Sequence, residues 1–212
     1  IRGRAFANYM RIALKNKPFL YDCDVLFENS VSKGSKKPDF IWYGKKFCIF
    51  IECKFGTKSN NDTKLLHVTS ILEAWRRSSE GIDQVQGFLK YEKSPLLDNR
   101  LIFSKDRIPI MIICTNDLLI EESSGFLVAA KKWDFLDKTD IKAIGTLSAS
   151  EIEYVTTSKD PDEVGENILN IWNSINPLEM DLVIRDHALM SEITKSNLPQ
   201  HLKEAWSYFW GG

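Results

Sequence analysis

The stretch Phe47-Cys48-Ile49-Phe50-Ile51-Glu52-Cys53-Lys54 constrains this chain more than any other. Its first five residues are apolar on both faces of an extended backbone, which predicts a buried central strand. The strand then runs into Glu52 and Lys54. Unpaired charge is costly to bury, so two charges at the end of a core strand call for a reason. Side chains alternate along a strand, so Glu52 and Lys54 share one face while Cys53 points to the other. Just upstream, residues 40–43 (Phe-Ile-Trp-Tyr) predict a second strand, folded back through Tyr43-Gly44-Lys45-Lys46. A two-residue loop at Gly44-Lys45 is the II′ turn that a leading glycine favours, and it sets Asp39 opposite Phe50, diagonal to Glu52. A loop at Lys45-Lys46 sets Asp39 directly opposite Glu52. Both registers put the two carboxylates on one face, whereas an odd-length loop without a bulge separates them.

Two carboxylates held close together repel unless something positive sits between them. A hard divalent cation is the natural candidate, and Mg²⁺ (or Mn²⁺) commonly takes one or two carboxylates plus water and phosphate oxygens. The expected metal ligands are therefore Asp39 and Glu52, with the backbone carbonyl of Cys53 as a further donor. Lys54 on the same face is placed to orient an attacking water or to stabilise charge developing on a phosphate. The bland alternative is an edge hairpin whose Asp39, Glu52 and Lys54 form a surface salt bridge.

Pro38-Asp39, twelve intervening residues, then Glu52-Cys53-Lys54 resembles the PD-(D/E)xK signature of the restriction-endonuclease-like nucleases. The resemblance covers the motif and its supporting strands, about residues 1–115. It implies an α/β fold: a restriction-endonuclease-like core with a mixed central β-sheet flanked by helices. It also implies Mg²⁺-dependent hydrolysis of phosphodiester bonds, with DNA the more frequent substrate and RNA the less, in restriction, defence, repair or a mobile element. In several branches of that family a helix after the catalytic strand presents a Gln followed four residues later by Tyr. Gln84 and Phe88 resemble this with Phe in the Tyr position, which adds Gln84 to the catalytic set Asp39, Glu52 and Lys54. One departure stands out. The first helix of the family often carries a glutamate that reaches the metal, and its place here holds Ala7 and Asn8, with no acid in residues 1–21. Either the acid is naturally lacking, or Ala7 is an engineered change that silences a toxic enzyme. The alternative function is thus a non-catalytic nucleic-acid-binding or protein-interaction module that keeps the nuclease fold.

Composition narrows the field without deciding it. The 212 residues suit one domain, or one domain with an elaborated end. The net charge of −1 gives no global signature of nucleic-acid binding. Locally, Ser32 to Lys58 holds seven lysines and two acids, both acids belonging to the motif. That concentrates positive potential around the proposed site. Cys23, Cys48, Cys53 and Cys114 sit in apolar or strand-like runs without metal-ligand spacing, which predicts reduced thiols in a cytoplasmic protein. No apolar run reaches spanning length, and none reads as a signal peptide. The chain opens at Ile1, so attachment to a larger protein stays open, as does a homodimer.

Along the chain, apolar spacing predicts a helix over 3–16 and a first strand over 20–29, with Asp22 and Asp24 on one face. Residues 29–37 and 56–63 read as loops. Helices follow over 63–79 and 82–91, separated at Gly81, then a buried strand over 108–115 reached by a parallel crossover. Asp117 at its end is a weak site candidate. Residues 126–130 and 141–147 read as edge strands. A helix starts near Pro161 with acids in its first turn, and another covers 199–210. The core is expected over 1–150, with a helical C-terminal extension over 151–212 packed on it. His67, His187 and His201 match no catalytic or ligand spacing.

Overall fold

A computed structural model describes residues 2–28, 36–54, 68–92, 106–116, 126–127, 130–131, 136 and 140–174. The helices are α1 (Arg2–Ala13), α2 (Cys23–Leu26), α3 (Val68–Glu92), α4 (Ala149–Ser158) and α5 (Pro161–Ser174). The strands are β1 (Leu20–Asp22), β2 (Phe40–Tyr43), β3 (Phe47–Lys54), β4 (Ile108–Thr115) and β5 (Ala143–Ser148). The strands form one sheet in the order β1-β2-β3-β4-β5. β1, β2 and β3 pair antiparallel, while β3, β4 and β5 pair parallel. The protein is therefore α/β, with a mixed sheet flanked by helices.

β3 lies at the centre, as its apolar run predicts, and Phe47, Cys48, Ile49, Phe50 and Ile51 are fully buried. β4 is buried over Ile110–Cys114 in the same way. Strand alternation divides the sheet into two faces. On one, Phe88 of α3 meets Phe50 edge to face with centroids 6.0 Å apart, and meets Phe27 at 5.2 Å. On the other, α5 sets Gly165 against the Phe47 ring and Ile168 against Gly145 of β5. Ile152, Val155, Val164, Ile168 and Trp172 of α4 and α5 join the strand residues in one hydrophobic core.

The hairpin takes the second of the two registers. Phe40 pairs with Ile51 and Tyr43 with Cys48, and Gly44 N–H donates to Phe47 O at 2.9 Å. The loop is thus Lys45-Lys46, and Asp39 falls opposite Glu52. The turn is held from far along the chain. Asp162, in the first turn of α5, accepts hydrogen bonds from the N–H groups of Lys45, Lys46 and Phe47, each at 2.9 Å. A Cβ on Gly44 would stand 2.1 Å from the Asp162 carboxylate, so only glycine permits this approach. Burial alone would raise the Asp162 pKa, but the three backbone donors outweigh it and hold the carboxyl below its usual range.

Four expectations change. The strand foreseen over 20–29 ends at Asp22, whose side chain accepts from Asp24 N–H at 2.8 Å and caps α2. Asp22 and Asp24 therefore do not share a strand face. The two helices foreseen on either side of Gly81 are one, because α3 runs through it. Phe126, Leu127 and Ala130 are helical rather than an edge strand. Finally, α4 was not foreseen, although Ser148 and Glu151 form a capping box at its start. Expectations over 29–35, 56–67, 175 and 199–210, and those for Asp117, His67, His187 and His201, lie outside the described residues. Among the described residues no helix is long and apolar enough to cross a membrane.

Candidate active site

The central strand places the predicted residues together. Glu52 is 3% exposed, which rules out the surface salt bridge considered above. Its Oε1 accepts from Lys54 Nζ at 2.8 Å. The same ammonium donates to Gln84 Oε1 at 2.8 Å, so α3 presents Gln84 to the end of β3. Asp39 N–H donates to Ile51 O at 3.1 Å, and its Oδ2 accepts from Cys53 N–H at 2.7 Å. That second bond aims the Asp39 carboxylate along the end of the strand. Cys53 turns its thiol away, toward its register partner Cys114, and Phe88 belongs to the core. All four cysteines are free thiols.

One atom of this group is left over. Glu52 Oε2 is buried and has no hydrogen-bond partner among the described residues. A buried carboxylate oxygen without a donor is expensive, so the arrangement favours either a proton or a cation there. The electrostatics agree. Burial first, and then the charge of Asp39, push the Glu52 carboxyl up to about 7 against the pull of Lys54 and Gln84. Burial also raises Asp39, opposed by the Cys53 N–H and by the charges of Arg11 and Lys54. Two acids that both resist ionisation side by side form a pocket short of positive charge.

Three residues shape the site that the motif does not contain. Gly81 lies in α3 where a Cβ would come 3.1 Å from Glu52 Cγ and 3.2 Å from Lys54 Cε. It lets the helix close over the pair, and it sits one turn before Gln84 on the same helical face. Arg11 of α1 reaches Asp22 at 3.0 Å and also bonds Asp24, which pairs with Lys37 at 2.8 Å. Those two acids are occupied by cations and do not converge with Asp39 and Glu52 as further ligands. Ala7, one helical turn before Arg11, brings no acid to the site. Among the described residues no group of three His, Cys, Asp or Glu side chains is placed to hold a metal. The third residue, Asp162, acts at a distance by fixing the turn.

Fold and site together define the class: an α/β protein whose central strand ends in a buried acid and a lysine, with a second acid just before the adjacent strand. No protein-family model matches the chain, and no curated protein matches it.

Proposed function

We propose that the chain is a divalent-metal-dependent endonuclease with a restriction-endonuclease-like core, acting on DNA ahead of RNA. The observation that carries this reading is the orphaned Glu52 Oε2, buried beside Asp39 with the Lys54 ammonium on the same face. The donor set is all oxygen, which fits Mg²⁺ or Mn²⁺ better than a soft metal. Asp39 and Glu52 would hold the ion, with the Cys53 carbonyl as a further donor. Such an ion supplies Lewis acidity and charge against the phosphate.

The chain's own residues do the rest. Glu52 and Asp39, once ionised, supply the negative charge that would hold the cation; on their own they repel a phosphate. Lys54, steered by Gln84, offers its ammonium to a phosphate oxygen or to the attacking water. α3, brought close by Gly81, keeps bulk water from the buried side of Glu52. Glu52 titrates near neutrality, so the site binds a cation only after shedding a proton.

Ala7 favours one other reading, a non-catalytic binding module, because α1 supplies no acid. Supercoiled plasmid and labelled RNA, each incubated with Mg²⁺ or Mn²⁺ and with chelator, separate the two. Cleavage should need the ion and fall at least about 100-fold in Lys54→Ala and Glu52→Gln, as for loss of a preorganised charge-stabilising group. Thermal melts give a second readout: Mg²⁺ or Mn²⁺ should raise the melting temperature of the native chain but not of Glu52→Gln. Cleavage indifferent to Lys54→Ala, or none of either substrate, overturns the nuclease reading.

A further inference from the structure

The carboxylates occupy one end of a sheet face, and the other end of that face carries aromatic rings. Pair register puts Tyr21, Ile41 and Tyr43 on the face shared by Asp39 and Glu52; Phe19, just before β1, accepts from Tyr43 N–H at 3.1 Å and joins them through its ring contact with Tyr43. α3 covers this face over β3, but Phe19 is 58% exposed and Tyr21 is 37% exposed at the β1 edge. The rings are ordered with respect to one another. Tyr21 and Tyr43 stack with centroids 5.5 Å apart and planes 15° from parallel, and Phe19 meets Tyr43 edge-on at 6.1 Å. Arg107 lies over the Tyr43 ring at 5.0 Å and donates to Gly44 O at 2.7 Å, which sets a guanidinium beside the stack. Lys45 and Lys46 are exposed at the adjoining turn.

Burial does not explain Phe19 and Tyr21, which face water at the sheet edge, whereas Tyr43 packs partly on the core. The backbone of Phe19 adds a cost, because Phe19 has φ of 58°, a region bulky residues rarely occupy. Strain of this kind persists where the surroundings impose it, commonly at binding sites. Flat exposed rings flanked by cations suit one chemistry well: unpaired bases stacked on the aromatics, with phosphates against the basic groups. A blunt duplex offers stackable base faces only at its ends.

We propose that Phe19, Tyr21 and Tyr43, flanked by Arg107 and Lys45, form a stacking platform for unpaired nucleotides of a nucleic-acid strand that continues to the Asp39–Glu52–Lys54 end of the same face. Tyr43 and Asp39 stand four residue steps apart, about 13 Å at the usual rise per residue. Ile41 between them is buried, so a strand joining platform and carboxylates passes over the elements that cover it. The proposal rests on the nucleic-acid reading above and adds its substrate class: single-stranded or frayed regions.

The test is fluorescence anisotropy of the full chain with a labelled 20-mer, as single strand and as blunt duplex, in chelator so that no cleavage intervenes. The native chain should prefer the single strand. Tyr21→Ala/Tyr43→Ala should weaken single-strand binding roughly tenfold or more, in line with about 1–3 kcal/mol per stacked base. Duplex binding should change far less, and Tyr43→Phe should keep single-strand affinity. Melting curves of each variant confirm folding, and Phe19→Ala, at the most exposed ring, serves if the double variant fails to fold. No preference for the single strand, or single-strand affinity that survives loss of both tyrosines, overturns the platform. So does a monomer–dimer shift on substitution with oligonucleotide affinity unchanged, which would make the rings a self-association surface. If metal-dependent cleavage persists while the platform variants bind normally, only this proposal falls. If the native chain binds neither oligonucleotide, the nuclease reading falls with it.

Discussion

Glu52→Gln should make the metal-free protein more stable above neutral pH while abolishing the cleavage proposed above. The folded-state pKa of Glu52 is about 7, against 4.5 for the free side chain. Between those values the folded chain holds a proton that the unfolded chain has released. The unfolded state then binds fewer protons, so stability falls as pH rises across this window. The penalty is absent below 4.5 and complete above 7. A shift of this size corresponds to about 3 kcal/mol at pH 8. Glutamine mimics the protonated acid and does not titrate, so the variant escapes the penalty. For a chain of this length, 3 kcal/mol corresponds to roughly 6–12 °C in melting temperature. The assay is urea unfolding of both proteins in chelator at pH 5 and pH 8. The quantity read is the difference between them, in which titrating groups common to both cancel. That difference should be small at pH 5, about 1 kcal/mol, and grow to about 3 kcal/mol in favour of the variant at pH 8. Saturating Mg²⁺ should close the gap by stabilising only the native chain, about 2.7 kcal/mol at 100 times the dissociation constant. A variant less stable than the native chain at pH 8 would refute the claim that Glu52 is held against its ionisation.

Two further outcomes follow from the packing. Asp162→Ala removes the acceptor of three turn N–H groups and should destabilise by about 2–3 kcal/mol in urea titrations; Gly44→Ala should also destabilise, and less so in the Asp162→Ala background, because the clash is with that carboxylate. Gly81→Val should reduce cleavage by more than its loss of stability explains, because the added atoms press on Glu52 and Lys54; equal activity per folded molecule would contradict that.

The hairpin, the central strand and β4 were legible because each is a short apolar run bounded by turn residues, a pattern that needs no distant information. The grouping of the candidate site residues was legible for the same reason: Asp39, Glu52 and Lys54 hang on that hairpin, and Gln84 meets Lys54 from α3. What stayed hidden depends on partners. The preference of Gly44-Lys45 for a II′ turn lost to Asp162, whose role shows only once α5 is packed on the sheet. Gly81 suggests a break, yet one glycine costs a helix only about 1 kcal/mol, and close approach to β3 favours it. β1 stops early because Asp22 bonds the backbone two residues on, a local competition that apolar spacing does not register. Arg11 gives no warning in the sequence of the acids it meets.

The Asp162 bond to the β2–β3 turn spans 115 residues of chain. A ribosome adding about 5–20 residues per second exposes the turn on the order of ten seconds before its acceptor exists. During that interval the nascent hairpin is free to sample the Gly44-Lys45 loop, in which Asp39 lies two residues out of step with Glu52. Arrival of the late helix selects the pairing in which the carboxylates face each other, so the two carboxylates are brought opposite each other last although both are translated early.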